Sequence, residues 1–452
     1  MKGIVPIVLA LAVSAALAAC GGEEQAPAGP SKPVTIAFWH SMPAANGEAI
    51  ERLADTFNRS QGEVVVTPVY QGTFENSLNK LLASLGSAEL PTLIQLPSWA
   101  TQLVADSGAV TPVQHFIDRD GYDFSDFDPN VVEYYRVEGS LYSMPLEVVN
   151  SVLYYNKEAF REVGLDPERP PTTLEEVREY SERLLRKDAA GNVTRSGMAL
   201  EVQPGVLELM IAMCGDLFVN NGNGRDGRAT EAVFNGPHGQ AFFRWWHDMV
   251  ASGLGINVGR NPSGADHFVA IAAGRAAMTI GNAEALRSIL NVLEAGEVKG
   301  VELGVAPVPR LADCPGGTMP IGESLWIVSE RPEEEQEAAW KFITFLVAPE
   351  QQATWYASTG YVPVRKSALE MEAAREVEAQ NPYFRVAVDQ FLASPSNRAT
   401  QGPLIGPYPQ VREAIAQAYE QTAAGKDPVE ALDEAARRAT EEIRRYAERI
   451  GQ

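Results

Sequence analysis

The chain has 452 residues and sets 59 Asp and Glu against 37 Lys and Arg, for a formal net charge of −22 at pH 7. Without a basic stripe to neutralise phosphates, that balance excludes a nucleic-acid partner, and it bears on solubility more than on any small ligand. The length and a hydrophobic content of 45% suffice for two lobes with separate cores.

Met1-Lys2 is a short basic region, and Ile4 to Ala16 is an apolar run broken only by Pro6 and Ser14. Leu17-Ala18-Ala19-Cys20 then reads as a small-residue cleavage site. The run is too short to span a bilayer, so residues 1–19 are expected to be a signal peptide. Leu17 to Cys20, followed by Gly21-Gly22, resembles the lipobox of bacterial lipoproteins. That makes Cys20 the acylated first residue and residues 20–33 a flexible, lipidated tether. The expected location is extracytoplasmic, on the cell membrane through the lipid anchor alone. Two further cysteines, Cys214 and Cys314, lie in an oxidising compartment on this reading, where they are free to pair or to stay apart.

Strands and helices alternate over the first hundred residues. Residues 34–39, 64–69 and 92–96 are strand-like runs. Residues 45–58, with Ile50, Leu53, Ala54 and Phe57 at helical spacing, and residues 74–85 are helices. This order predicts a parallel sheet with right-handed crossovers, whose ligand lies beyond the carboxyl ends of the strands. The rim there is His40-Ser41, Gln71 to Phe74, and Pro97 to Trp99. A second α/β unit opens with a strand at 152–155. Asn156 caps a helix over 157–163, and Thr173 with Glu176 forms a capping box for a helix through Leu185. Residues 220–227 read as a plain turn without the ligand spacing of a calcium loop. Further strands are expected at 276–280, 305–308 and 325–328. The last hundred residues read as largely helical, with Asp427 capping a final helix. Trp245-Trp246 reads as core and interlobe packing.

No catalytic constellation emerges. His40, His115, His238, His247 and His267 have no metal-ligand spacing, and there is no nucleophile elbow, phosphate loop or dinucleotide fingerprint. Glu147 and Glu323 could form a glycosidase pair, which needs only two carboxylates across a cleft. A secreted glycosidase is therefore the remote alternative to a non-enzymatic chain with no cofactor and no metal.

Phe38-Trp39-His40-Ser41-Met42, Leu153 to Lys157, Gly164 to Glu168 with Pro170-Pro171, Ser324-Leu325-Trp326, Thr359-Gly360-Tyr361 and Pro409 to Arg412 occur in that order. Together they resemble the family 1 extracellular solute-binding proteins of bacterial ABC importers, the group of the maltose-binding protein, and within it the glycerol-phosphate binders. The resemblance implies a two-lobe periplasmic-binding-protein-like α/β fold, each lobe a mainly parallel sheet flanked by helices, hinged by crossing strands. Lobe I would comprise residues 33–150 with 308–360, and lobe II residues 151–307 with 361–452. It also implies a monomer that closes on a small-molecule solute and delivers it to the transmembrane subunits of an ABC permease.

Gly322, Tyr361 and Arg412 fall on positions where the family contacts its ligand. Glycine allows close backbone approach, tyrosine offers a hydroxyl on an apolar ring, and arginine can grip a phosphate or carboxylate. Other positions depart from the pattern. Phe74 replaces a tyrosine, Ser98 a glutamate, and Val149 and Asn282 each a serine, while Trp99 lies on the rim. Residues 201–207 lack the tryptophan pair of the glycerol-phosphate binders, and Glu147 and Glu323 add carboxylates where the family is neutral. Three ligand classes suit such a pocket: glycerol-3-phosphate or a glycerophosphodiester first, a sugar or oligosaccharide second, an amino-acid-like zwitterion third. Intact-mass measurement of membrane-extracted protein is expected to show a chain starting at Cys20 with added acyl mass; an unmodified chain starting elsewhere contradicts the anchor.

Overall fold

The computed structural model describes residues 32–261 and 264–451, so Cys20, the signal peptide and the tether up to residue 31 lie outside the described residues. In the first sheet, strand Val34–His40 runs parallel between Val64–Tyr70 and Leu93–Pro97. Leu93–Pro97 is buried along its whole length, as a near-continuous apolar run in a sheet covered on both faces should be. Helix Ala44–Ser60 packs Ile50, Leu53, Ala54 and Phe57 against this sheet, and Thr73 caps helix Phe74–Ser84 by accepting from the Asn76 N–H. Strand Glu323–Val328 returns from far along the chain and pairs antiparallel with Leu93–Pro97, which sets Glu323 opposite Pro97.

The second sheet is also mixed. Val193–Leu200 and Ala276–Asn282 are parallel, but Ser151–Asn156 runs antiparallel to both its neighbours, Ala276–Asn282 and Leu303–Pro307. That strand enters straight from the first lobe, so its direction is set by the crossing and not by a helical crossover. The expected caps form: Asn156 accepts from the Glu158 N–H, Thr173 from the Glu176 N–H, and Asp427 from the Val429 and Glu430 N–H groups. In the box at Thr173 the Glu176 carboxylate turns back to the N–H and hydroxyl of Thr172, one residue earlier than the pattern predicts.

Two large cores result. The first spreads across the hinge: Val152, Tyr154 and Val305 of the second sheet join it, as do Tyr361, Val377, Phe384 and Phe391. The second holds Trp246, edge-on to Tyr419, with Trp245 packed on its margin and donating its indole N–H to the Leu174 carbonyl. The tryptophan pair therefore belongs to the interior of the second lobe.

Residues 220–227 are more than a turn. Asn221, Gly222 and Asn223 hold left-handed backbone, the buried Asn223 carboxamide accepts from the Phe218 and Val219 N–H groups, and the loop carries Arg225 inward. Cys214, at the end of helix Pro204–Met213, is joined to Cys314 in the segment leading back to the first lobe. His238 lies close by, but both sulfurs are committed to the disulfide, so the cluster offers no thiolate pair to a metal. Closing a sequence separation of 100 residues constrains the unfolded chain strongly. Replacing both cysteines with serine is expected to lower unfolding free energy by about 2–5 kcal/mol in denaturant titrations.

Candidate functional site

The site residues gather in two groups. The first is built on helix Tyr408–Ala423, where Tyr408 and Arg412 are one turn apart and share a face. The Arg412 guanidinium lies 4.9 Å from the centre of the Tyr408 ring. Glu208, from helix Pro204–Met213, accepts from Arg412 Nε at 2.8 Å and Nη2 at 2.7 Å, and from the Tyr408 hydroxyl at 3.0 Å. The Glu208 side chain is fully buried, whereas that of Arg412 remains 26% exposed. Burial pulls the guanidinium down, but the adjoining carboxylate more than offsets it and holds Arg412 above its ordinary value. Among the described residues, Nη1 has no hydrogen-bond partner, so one end of the guanidinium is left for something else.

Tyr134, from helix Pro129–Tyr134 of the first lobe, lies within electrostatic reach of Arg412, and Ser98 lies near its hydroxyl. The Ser98 hydroxyl accepts from the Gly322 N–H at 3.4 Å, and the Ser98 N–H donates to the Gly322 carbonyl at 2.7 Å. Gly322 is needed for a close approach, though to protein: a Cβ there would meet the Glu147 carbonyl oxygen at 2.2 Å. Trp99, half-buried, packs against the cores of both lobes.

The second group is acidic. Leu146 donates its N–H to the Glu323 carbonyl, and Glu147 lies opposite Pro363 in a short ladder, so both carboxyls stand at the crossing between lobes. The charge of Glu323 bears on Glu147, and Gln95 donates to Glu147 Oε1 at 3.2 Å. Oε2 of each carboxyl is buried without a partner, as is Oε2 of Glu284. Burial pushes Glu323 and Glu284 up to about 7; burial and the charge of Glu323 push Glu147 well up. Tyr361 stacks on Trp355 at 5.8 Å with its hydroxyl toward Met42 Sδ, and burial followed by the charges of Glu323, Glu284 and Glu147 raises that hydroxyl.

Of the other expected positions, Phe74 opens its helix half-buried against the first core. Val149 is buried and donates its N–H to the Ile321 carbonyl. Asn282 is exposed and accepts from the Ser151 hydroxyl at 3.2 Å. Sequence reasoning missed Glu208, Tyr408, Tyr134, Glu284 and Gln95. Glu208 is the lone carboxylate in the apolar helix PGVLELMIAM, and Gln95 the lone polar residue of strand LIQLP; each such interruption signals a buried partner.

The lobes also meet beside the first group. Asp106 accepts from Arg228 at 3.0 and 2.7 Å, from Gln102 at 2.9 Å and from the Tyr446 hydroxyl at 2.8 Å. Arg225 donates to the carbonyls of Glu133 and Tyr134 on one lobe and of Gln401 and Gly402 on the other.

The raised carboxyls have a measurable consequence. As pH rises from 4.5, unfolded chains release protons that folded Glu323 and Glu284 retain, so these groups erode stability up to about pH 7 and no further. His40 and His267, pushed down by burial to about 4, act in the opposite direction over much of the same range. The clean readout is therefore a difference. Glu323→Gln is expected to match the wild type below about pH 4.5, gain relative to it as pH rises, and level off above about pH 7. Urea denaturation across that range measures it.

The family model for bacterial extracellular solute-binding proteins matches residues 52–381. The sn-glycerol-3-phosphate-binding periplasmic protein UgpB of Salmonella typhimurium is 32% identical over 421 residues, 91% of this chain and 93% of its own length. The cyclic alpha-maltosyl-1,6-maltose binding protein from Arthrobacter globiformis superposes with a TM-score of 0.73 at 25% identity, over 91% of this chain and 100% of that one. UgpB from Mycobacterium tuberculosis, solved with glycerophosphocholine, does so with a TM-score of 0.73 at 22% identity, over 92% and 100%.

Proposed function

Because the chain belongs to the bacterial extracellular solute-binding proteins, we propose that it captures glycerol-3-phosphate or a glycerophosphodiester between its lobes and delivers it to the permease of an ABC importer. The observation that carries this reading is the unpaired end of Arg412 at the seam between lobes, in a chain similar over nearly its full length to a glycerol-3-phosphate binder. A phosphate at that end is held by a charge-assisted contact, with the Tyr134 and Ser98 hydroxyls near by. Glycerol hydroxyls or an amine-bearing head group then face Glu147, Glu323 and Glu284. In this reading the protein is a lipid-anchored, extracytoplasmic monomer that performs no chemistry on its ligand.

A neutral sugar is the second reading, and one observation favours it: Arg412 is already paired with Glu208, while the carboxyls have oxygens free for hydroxyl donors. A thermal-shift screen of glycerol-3-phosphate, glycerophosphocholine, di- and trisaccharides and amino acids separates the readings. A true ligand at 100 times its dissociation constant stabilises by about 2.7 kcal/mol. Arg412→Lys keeps a cation for Glu208 but loses the planar fork, and is expected to weaken phosphate ligands by about tenfold or more while sparing sugars. A shift with a disaccharide and none with any phosphate would refute the first reading.

A further inference from the structure

We propose that Glu208 is a specificity-determining residue that sets the charge the cleft accepts, favouring a singly charged phosphate diester over a doubly charged phosphate monoester. The inference rests on the glycerol-phosphate reading above and narrows it.

Glu208 takes the whole Nε–Nη2 edge of Arg412, leaving only the Nη1 end to a ligand. It also compensates the charge. The carboxylate is fully buried and, among the described residues, bonded only to Arg412 and the Tyr408 hydroxyl, so the arginine cannot leave it for a ligand without stranding a buried anion. The Tyr408 ring beneath the guanidinium fixes the same geometry. Arginine and glutamate thus present a directed donor with almost no net charge.

Arg225 is a second cation in this region: its guanidinium lies 5.2 Å from the ring of Tyr134, which feels the charges of both Arg225 and Arg412. Burial pushes it down to about 10, so it stays charged at neutral pH, but its bonds go to four backbone carbonyls and to no carboxylate. It contributes one positive charge and no donor set. The anion end therefore balances about one negative charge. A phosphate monoester carries roughly −1.5 to −2 at pH 7, and its surplus has nowhere favourable to go. A diester carries one.

Isothermal titration of the mature chain with sn-glycerol-3-phosphate and with glycerophosphoglycerol compares the two charges on the same glycerol unit. The diester is expected to bind about tenfold or more tightly than the monoester. Glu208→Gln keeps the shape and removes the charge, and is expected to strengthen monoester binding about tenfold with little gain for the diester. A wild-type preference for the monoester overturns the proposal even if the variant does not fold. A Glu208→Gln variant that weakens both ligands in equal proportion also overturns it, which would make Glu208 a structural partner only. If neither phosphate binds the wild type, the functional reading itself falls; if both bind and the monoester is tighter, only the role of Glu208 falls.

Discussion

An ionised carboxylate buried to its last oxygen costs several kcal/mol unless a cation arrives with it, and Glu208 is in that position. The cost dictates how helix Pro204–Met213 meets helix Tyr408–Ala423: Tyr408 and Arg412 must both reach the same carboxylate, which fixes the rotation of one helix against the other. The last helix, Pro428–Ile450, packs along Tyr408–Ala423 and brings Tyr446 to Asp106 on the facing lobe. The seam between lobes is thus positioned by an ion pair inside one of them.

The cleft is electrically lopsided for a structural reason. Its cationic end rests on helices of the second lobe, whereas its acidic end sits on the crossing segments, where Glu147 and Glu323 are brought together by the ladders that join the lobes. Burial and the charge of Glu323 both press Glu147 toward its protonated form. An opening of the hinge that let water in would change both charge and geometry there. The acids that departed from the family pattern in sequence are thereby placed on the moving part of the fold.

Much of this was legible in the residues. Apolar runs at 34–39, 64–69 and 92–96 became strands of one sheet, and Asn156, Thr173 and Asp427 capped their helices because short polar side chains can satisfy the first free N–H groups. Strand direction was not legible: the run Val152 to Tyr155 reads the same in either sense, and only the crossing makes it antiparallel. Gly322 was legible as a close approach but not as an approach to the Glu147 carbonyl. Arg412 as an anion grip omitted Glu208, which lies some two hundred positions away and is joined to it only by tertiary packing. Arg225 was hidden because Asn, Gly and Asp around it read as a turn, and a turn is normally solvated.

Arg225 adds a polar tie between the lobes to the apolar core that spans them. The carbonyls of Glu133 and Tyr134 end helix Pro129–Tyr134, where main-chain acceptors lack partners within the helix and the dipole favours a cation. Arg225 satisfies them from across the seam, and Asp106 gathers Arg228 and Tyr446 in the same way. These contacts touch no expected ligand position, so they hold the lobes together whether or not the cleft is filled. A ligand shifts such an equilibrium only by its differential affinity for the closed form. The more of the closing free energy these polar contacts contribute, the less the Nη1 end of Arg412 and the acidic end have to supply, and a cleft with few unpaired donors remains able to close on a small solute.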